Sequence, residues 1–143
     1  MERKILFPDE TVIKTKLFDV SQDWEIPIPA FFIIAPLRKV SSIAEFTEDE
    51  AVEFITLARK IRKGMKEVLG IKCVYLFERE DTERNFHFWI FPRYEWMEKF
   101  GRGIESVRPI ITYAKDTMTD EENMNEVRDC VKKLKEYMKN DFY

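Results

Sequence analysis

Between Thr47 and Gly70 the chain carries a start signal, a stop signal and a buried face, and this segment constrains the fold more than any other. Thr47-Glu48-Asp49-Glu50 matches a capping box, in which the Thr hydroxyl and the Glu carboxylate each satisfy a free backbone donor of the first helical turn. Ala51, Phe54, Ile55, Ala58, Ile61, Met65, Val68 and Leu69 follow at three-and-four spacing, the pattern of one apolar stripe, and Gly70 supplies the C-terminal stop. Arg59, Lys60, Arg62, Lys63 and Lys66 fall on the remaining side, as a solvated helix face requires, and are not read as a phosphate-binding cluster.

The flanking segments read mainly as strands. Thr11 to Val20 alternates loosely and is rich in β-branched residues, which predicts one strand, and Trp24-Glu25-Ile26 is read as the start of another. Pro27 and Pro29 remove ladder donors and force an irregular or edge segment. Phe31 to Ala35 is apolar throughout and stops at Pro36, as expected of a central strand buried on both faces, and Cys73 to Phe77 reads as a further strand. After Tyr94 the pattern turns helical: Gly101 and Gly103 mark a turn, Val107 to Lys115 suits a short helix entered at Pro109, and Thr119-Asp120-Glu121-Glu122 is a second capping box. The last helix carries Met124, Val127, Val131, Leu134 and Met138 on one stripe, which must be covered by its own sheet or by a second subunit. With no repeat and no linker, residues 1–143 are expected to form one α+β domain with an antiparallel sheet.

Composition narrows the function classes. A chain of 143 residues that is 45% hydrophobic, with 4 glycines and 36% charged residues, suits a compact domain that needs neither disulfides nor metal. No apolar run approaches the ~20 residues of a membrane span, and Met1-Glu2-Arg3-Lys4 does not open a signal peptide, so a cytoplasmic protein is expected. Cys73 and Cys130, with one histidine, fall short of a structural zinc set, and both thiols are expected to be reduced and buried. A formal charge of −3 gives no general reason to bind a nucleic-acid polymer, although a small anion in a local basic pocket is compatible.

The single histidine lies in Asn85-Phe86-His87-Phe88-Trp89-Ile90-Phe91-Pro92-Arg93-Tyr94. A period of two sets Asn85, His87, Trp89 and Phe91 on one face and Phe86, Phe88 and Ile90 on the other. The second set is ordinary core. The first offers an imidazole between an amide and an indole, either as a nucleophile or general base or as a packed residue. The preceding loop, Glu78 to Arg84, holds no glycine to cradle phosphate with backbone amides; Arg79, Arg84 and Arg93 bracket the strand ends, either towards phosphate oxygens or as solvated charges.

These residues resemble the histidine-triad (HIT) superfamily, whose signature is His-x-His-x-His on one strand, usually followed within a few residues by Pro-Arg. The chain keeps the middle histidine, His87, and the Pro92-Arg93-Tyr94 tail, with Asn85 and Trp89 at the outer positions. Upstream, Phe31 to Ala51 is similar to the family's hydrophobic strand ending in Pro, its basic loop and the capped helix behind it. The likeness runs from about Phe18 to Tyr94, with the main helix after the Phe31–Pro36 strand and a C-terminal helical extension from about residue 104. It implies a HIT-like antiparallel sheet, a homodimer that continues that sheet, and nucleotide pockets beside the histidine strand. It assigns His87 the attack on a nucleotide α-phosphate, with no metal or other cofactor, and hands the contacts of the missing histidines to Asn85 and Trp89. Asp23 aligns with an acidic residue that binds the ribose, or is a turn aspartate; Lys39 stands where a phosphate contact is possible, or is solvated. The family's Gln ahead of the triad is replaced by Asp81-Thr82-Glu83-Arg84, where acids would repel phosphate. The implied function is a divergent HIT nucleotide hydrolase or nucleotidyl transferase acting on a phosphoanhydride or phosphoramidate of a nucleotide, including the dinucleoside-polyphosphate type. The alternatives are a non-catalytic nucleotide-binding module reshaped by Trp89, and a structural dimer whose pocket Trp89 plugs.

Overall fold

The computed structural model describes residues 4–82 and 85–142. Five strands form one antiparallel sheet: β1 (Thr11–Lys14), β2 (Phe18–Gln22), β3 (Phe32–Pro36), β4 (Val74–Phe77) and β5 (Phe88–Pro92), in the order β1-β2-β3-β5-β4. The apolar Phe32–Pro36 run is central, as its two-sided burial requires. Three helices accompany the sheet: α1 (Glu48–Leu69) between β3 and β4, then α2 (Val107–Thr117) and α3 (Glu121–Phe142) after β5.

The expected capping box opens α1, with Thr47 Oγ1 accepting from Glu50 N and the Glu50 carboxylate accepting from Thr47 N; Gly70 closes the helix in the left-handed region. The buried side is rotated from the expected stripe. Phe54, Leu57, Ala58, Ile61, Gly64 and Met65 are buried, whereas Ala51, Ile55 and Val68 are exposed. The rotation has a cause in α3, which packs along α1 so closely that a Cβ on Gly64 would stand 2.6 Å from Leu134 Cδ1. Cys130, Val131, Leu134 and Met138 on α3 fill the same core and Val127 is buried too, so that stripe is covered within the chain and not by a second subunit.

Four other readings change. Thr11 to Val20 is two strands joined by a turn, because Glu53 of α1 accepts from Thr15 Oγ1 (2.6 Å) and Leu17 N (2.9 Å) and folds the chain back there. Trp24-Glu25-Ile26 is a turn, not a strand, held by the Asp23 side chain. The cap of α3 is Asp120 instead of Thr119, with its Oδ2 accepting from Asn123 N at 3.1 Å. Cys73 is exposed, one residue before β4, while Cys130 is buried.

The sheet separates two cores. On one face Phe18, Val20, Phe32, Ile34, Phe86 and Ile90 pack under α1 and α3; on the other Phe31, Ile33 and Phe91 meet Val107, Ile110 and Ala114 of α2. Side chains of this kind contribute about 1.5–3 kcal/mol each when fully buried. The α2 side leaves part of β2 and β3 uncovered, and the candidate site lies there.

Candidate active site

Phe86 fixes the approach to β5. Its ring is buried against Phe46 (5.0 Å) and Phe54 (5.7 Å), and its N–H donates to Val40 O at 2.8 Å. With Phe86 held in the core, alternation turns Asn85 and His87 to the opposite face, where both line a depression in the sheet. His87 stands one residue before the first ladder residue of β5, not inside the strand.

The Nδ1 atom of His87 lies 2.6 Å from the backbone oxygen of Asn85. A carbonyl oxygen only accepts, so Nδ1 carries the proton, and in the neutral ring Nε2 keeps its lone pair. That arrangement gives an imidazole nucleophile, held in one tautomer by an acceptor on its other nitrogen.

The depression has two lobes that share Asp23, Glu25, Ile33, Asn85 and His87. The first, about 420 Å³, is completed by Asp19, Ser21, Gln22, Trp24 and Ala35; the second, about 400 Å³, by Ile26, Phe77, Arg79, Thr82, Trp89 and Lys115. Each is within the range of small-molecule sites, about 300–1,000 Å³.

Trp89 packs edge-on against Phe31 (5.2 Å) and tilted against Phe77 (4.9 Å). Its indole is thereby fixed as a wall of the second lobe, and the first lobe is free of it. Asp23 serves the turn and faces the cavity: its Oδ1 accepts from Glu25 N and Ile26 N, each at 2.9 Å, and it lines both lobes. Lys39 is exposed in the loop after β3 and lines neither lobe.

The arginines divide. Arg79 lines the second lobe and pairs with Asp81 at 3.0 and 3.2 Å, and this pairing holds the Asp81 carboxyl below its usual range. The acid expected to repel phosphate at Asp81 is therefore neutralised locally. Arg93 donates to Gly101 O (2.9 Å) and Ser106 Oγ (3.2 Å) and lies over the Tyr75 ring, so its work is to close the turn after β5. Glu83 and Arg84 lie outside the described residues. Tyr94 also acts on the frame, donating through its hydroxyl to Pro29 O, while Asn123 Nδ2 donates to Pro27 O at 2.8 Å. Together they brace the loop that carries Asp23 to Ile26.

Sequence reasoning missed Asp19, Ser21, Trp24 and Lys115. Asp19 and Ser21 alternate along β2 with the buried Phe18, Val20 and Gln22, a signal visible only once β2 is recognised as a strand of its own. Asp19 Oδ1 is buried without a hydrogen-bond partner, and burial pushes its carboxyl above the usual range against the opposing pull of Lys14. Among the described residues no cluster of three or more His, Cys, Asp or Glu is placed to hold a metal ion. No helix among the described residues is long and apolar enough to cross a membrane.

No family model matches the sequence, and no curated protein matches it. Solved structures do. A histidine triad protein from Marinobacter aquaeolei VT8 aligns with a TM-score of 0.65 at 16% identity, over 93% of this chain and 98% of that one. A hypothetical histidine triad nucleotide-binding protein from Sulfolobus tokodaii strain7 aligns at 0.65 and 14%, over 93% of this chain and 87% of that one. Plasmodium falciparum diadenosine triphosphate hydrolase aligns at 0.63 and 12%, over 98% of this chain and 86% of that one. This five-stranded antiparallel sheet with its helices is a histidine-triad-like α+β fold.

Proposed function

We propose that the chain is a cytoplasmic nucleotide hydrolase or nucleotidyl transferase with His87 as its nucleophile. The observation that carries this reading is the 2.6 Å contact from His87 Nδ1 to Asn85 O, which leaves Nε2 as the reactive nitrogen beside a cavity of nucleotide size. Nε2 attacks the α-phosphorus of a phosphoanhydride or phosphoramidate; the P–N bond forms, and the bond to the leaving phosphate or amine breaks with its electron pair. Water or another acceptor then displaces the imidazole. The likeness to a diadenosine triphosphate hydrolase supports this class of substrate. Asn85 supplies an amide donor beside the reacting phosphate, and Lys115 supplies positive charge in the second lobe, where the leaving group would lie, with Arg79 offering donors beyond its pairing with Asp81. Asp23 faces the ribose. Lys39, exposed and outside both lobes, serves at most an outer phosphate.

A second reading is a nucleotide-binding module without turnover, favoured by Trp89: locked against Phe31 and Phe77, its indole offers one donor where the resemblance expects an imidazole. Loss of one such oxyanion donor costs about 3 kcal/mol, or two to three orders of magnitude in rate. Nucleoside-monophosphate release from dinucleoside polyphosphates and nucleoside phosphoramidates separates the two readings. Release that His87→Ala abolishes supports the enzyme. Nucleotide binding that His87→Ala leaves unchanged, with no release by the parent, supports the module.

The functional unit in this proposal is a homodimer. β4 is an edge strand whose Leu76 is 52% exposed, an open sheet edge suited to a second copy.

A further inference from the structure

β1 lies at the end of the sheet away from β4, and among the described residues no strand pairs with its outer side. Such an edge turns backbone donors and acceptors outwards. α3 runs beside it. Val12 and Ile13 are buried in the core that α3 covers, and a groove of about 300 Å³ lies between Thr11–Lys14 on one side and Lys135 and Lys139 on the other.

The helix wall of this groove belongs to a longer basic row. Arg128, Lys132, Lys135 and Lys139 recur at spacings of four, three and four, which keeps them on one face of α3, and all four are exposed. From Arg128 to Lys139 the row runs about 16 Å at a rise of 1.5 Å per residue. Neighbouring acids do not cancel it: Asp129 pairs with Lys133 at 3.0 Å, and Glu136 approaches Lys139 only to 4.0 Å. Lys14 is not part of the row. It stands opposite Asp19 in the β1–β2 register and acts on that carboxyl on the other face of the sheet. Four cations in line are a local concentration in a chain whose formal charge is −3.

We propose that this groove docks an acidic peptide segment in extended form, which adds to β1 as a sixth strand and turns alternate Asp or Glu side chains to the α3 row. The two rows run nearly in step. Side chains two apart in a strand are about 7 Å apart, and residues four apart on a helix rise about 6 Å. A second copy of this chain does not fit the same place, because edge-to-edge pairing would set its own basic row beside this one. Its preformed β1 would also carry the bulge between Thr11 and Ile13, whereas a segment with no fold of its own can follow that edge. A nucleic-acid strand would answer the charge but brings no main chain of the kind a β edge pairs with.

The test is fluorescence anisotropy of the full chain with a labelled, end-blocked octapeptide alternating threonine and glutamate. The comparison ligands are the same residues in two blocks, the peptide with lysine for glutamate, and a single-stranded oligonucleotide of equal charge. Two further peptides are N-methylated, one at every threonine and one at every glutamate, so that each loses the backbone donors of one edge. The alternating peptide is expected to bind about tenfold or more tighter than the block, lysine and oligonucleotide ligands, and only one of the two methylated peptides is expected to lose its binding. Lys135→Glu with Lys139→Glu is expected to weaken the alternating peptide about tenfold or more. Equal binding of the block peptide or the oligonucleotide, equal behaviour of the two methylated peptides, unchanged affinity in the double variant, or no binding at all overturns the inference. The ligand comparisons use the parent alone, so they decide even if the variant folds poorly.

Discussion

The carbonyl of Asn85 accepts a hydrogen bond from His87 Nδ1–H, so a backbone atom sets the chemistry of the side chain two residues on. The spacing that does this was visible in the sequence, because Asn85, His87 and Trp89 fall on one face of a single alternating run. Asp19 and Ser21 were not, since their face is defined only by a turn that α1 imposes. Trp24, read as the start of a strand, stands at a cavity rim because Asp23 folds the turn beneath it. A second residue-scale consequence concerns Glu50, which is 2% exposed and accepts from Arg38 at 2.8 and 3.0 Å as well as from Thr47 N. Those bonds, the Arg38 contact first, lower its pKa from an ordinary 4.5 to about 2. A carboxylate depressed on folding stabilises the native state fully above its unfolded value and loses that contribution as pH falls through the folded one. Thermal denaturation of the parent should therefore show a loss of stability between pH 4.5 and about 2 that Glu50→Gln shows much less. Equal pH slopes for the two proteins would contradict this.

At the scale of elements, α1 was legible from end to end because its signals are local: the Thr47 and Glu50 side chains bond within one turn, and Gly70 needs only its own left-handed backbone. Its orientation was legible only in part, since Phe54, Ala58, Ile61 and Met65 are buried as expected while Ala51, Ile55 and Val68 are exposed. Ile55 and Leu57 are both apolar, and which of them is buried depends on where α3 lies, a contact between residues far apart in sequence. The same holds for the turn between β1 and β2, which contains no glycine, proline or asparagine and owes its shape to Glu53. Gly64 reports the helix contact most directly. Alanine there gains about 1 kcal/mol in helix propensity, yet its Cβ would meet Leu134 Cδ1 at 2.6 Å and Tyr137 Cδ2 at 2.7 Å. Overpacking of this kind costs about 1–3 kcal/mol, so Gly64→Ala should lower the urea midpoint, and an unchanged or raised midpoint would show that α1 and α3 are packed more loosely.

For the whole molecule, the sheet keeps one face for stability and divides the other between a second core and a site. α1 and α3 cover the first face, and α2 covers only the β5 side of the second, which leaves β2 and β3 open beside His87. The fold class was legible because strand and helix periods, capping and proline positions all agreed, whereas the cavity needed three strands, a turn and α2 to be assembled. The proposed dimer is tested at this scale: Leu76→Glu, on the open β4 edge, should convert a dimer to a folded monomer in sedimentation, and a parent that sediments as a monomer would contradict it. The central claim, that His87 attacks phosphorus, is tested most directly by intact-protein mass spectrometry after a brief, acid-quenched-free incubation with a dinucleoside polyphosphate or a nucleoside phosphoramidate. The account predicts one added nucleotidyl group, absent in His87→Ala. A folded parent that releases nucleotide with no adduct on His87, or an adduct that persists in His87→Ala, would contradict it.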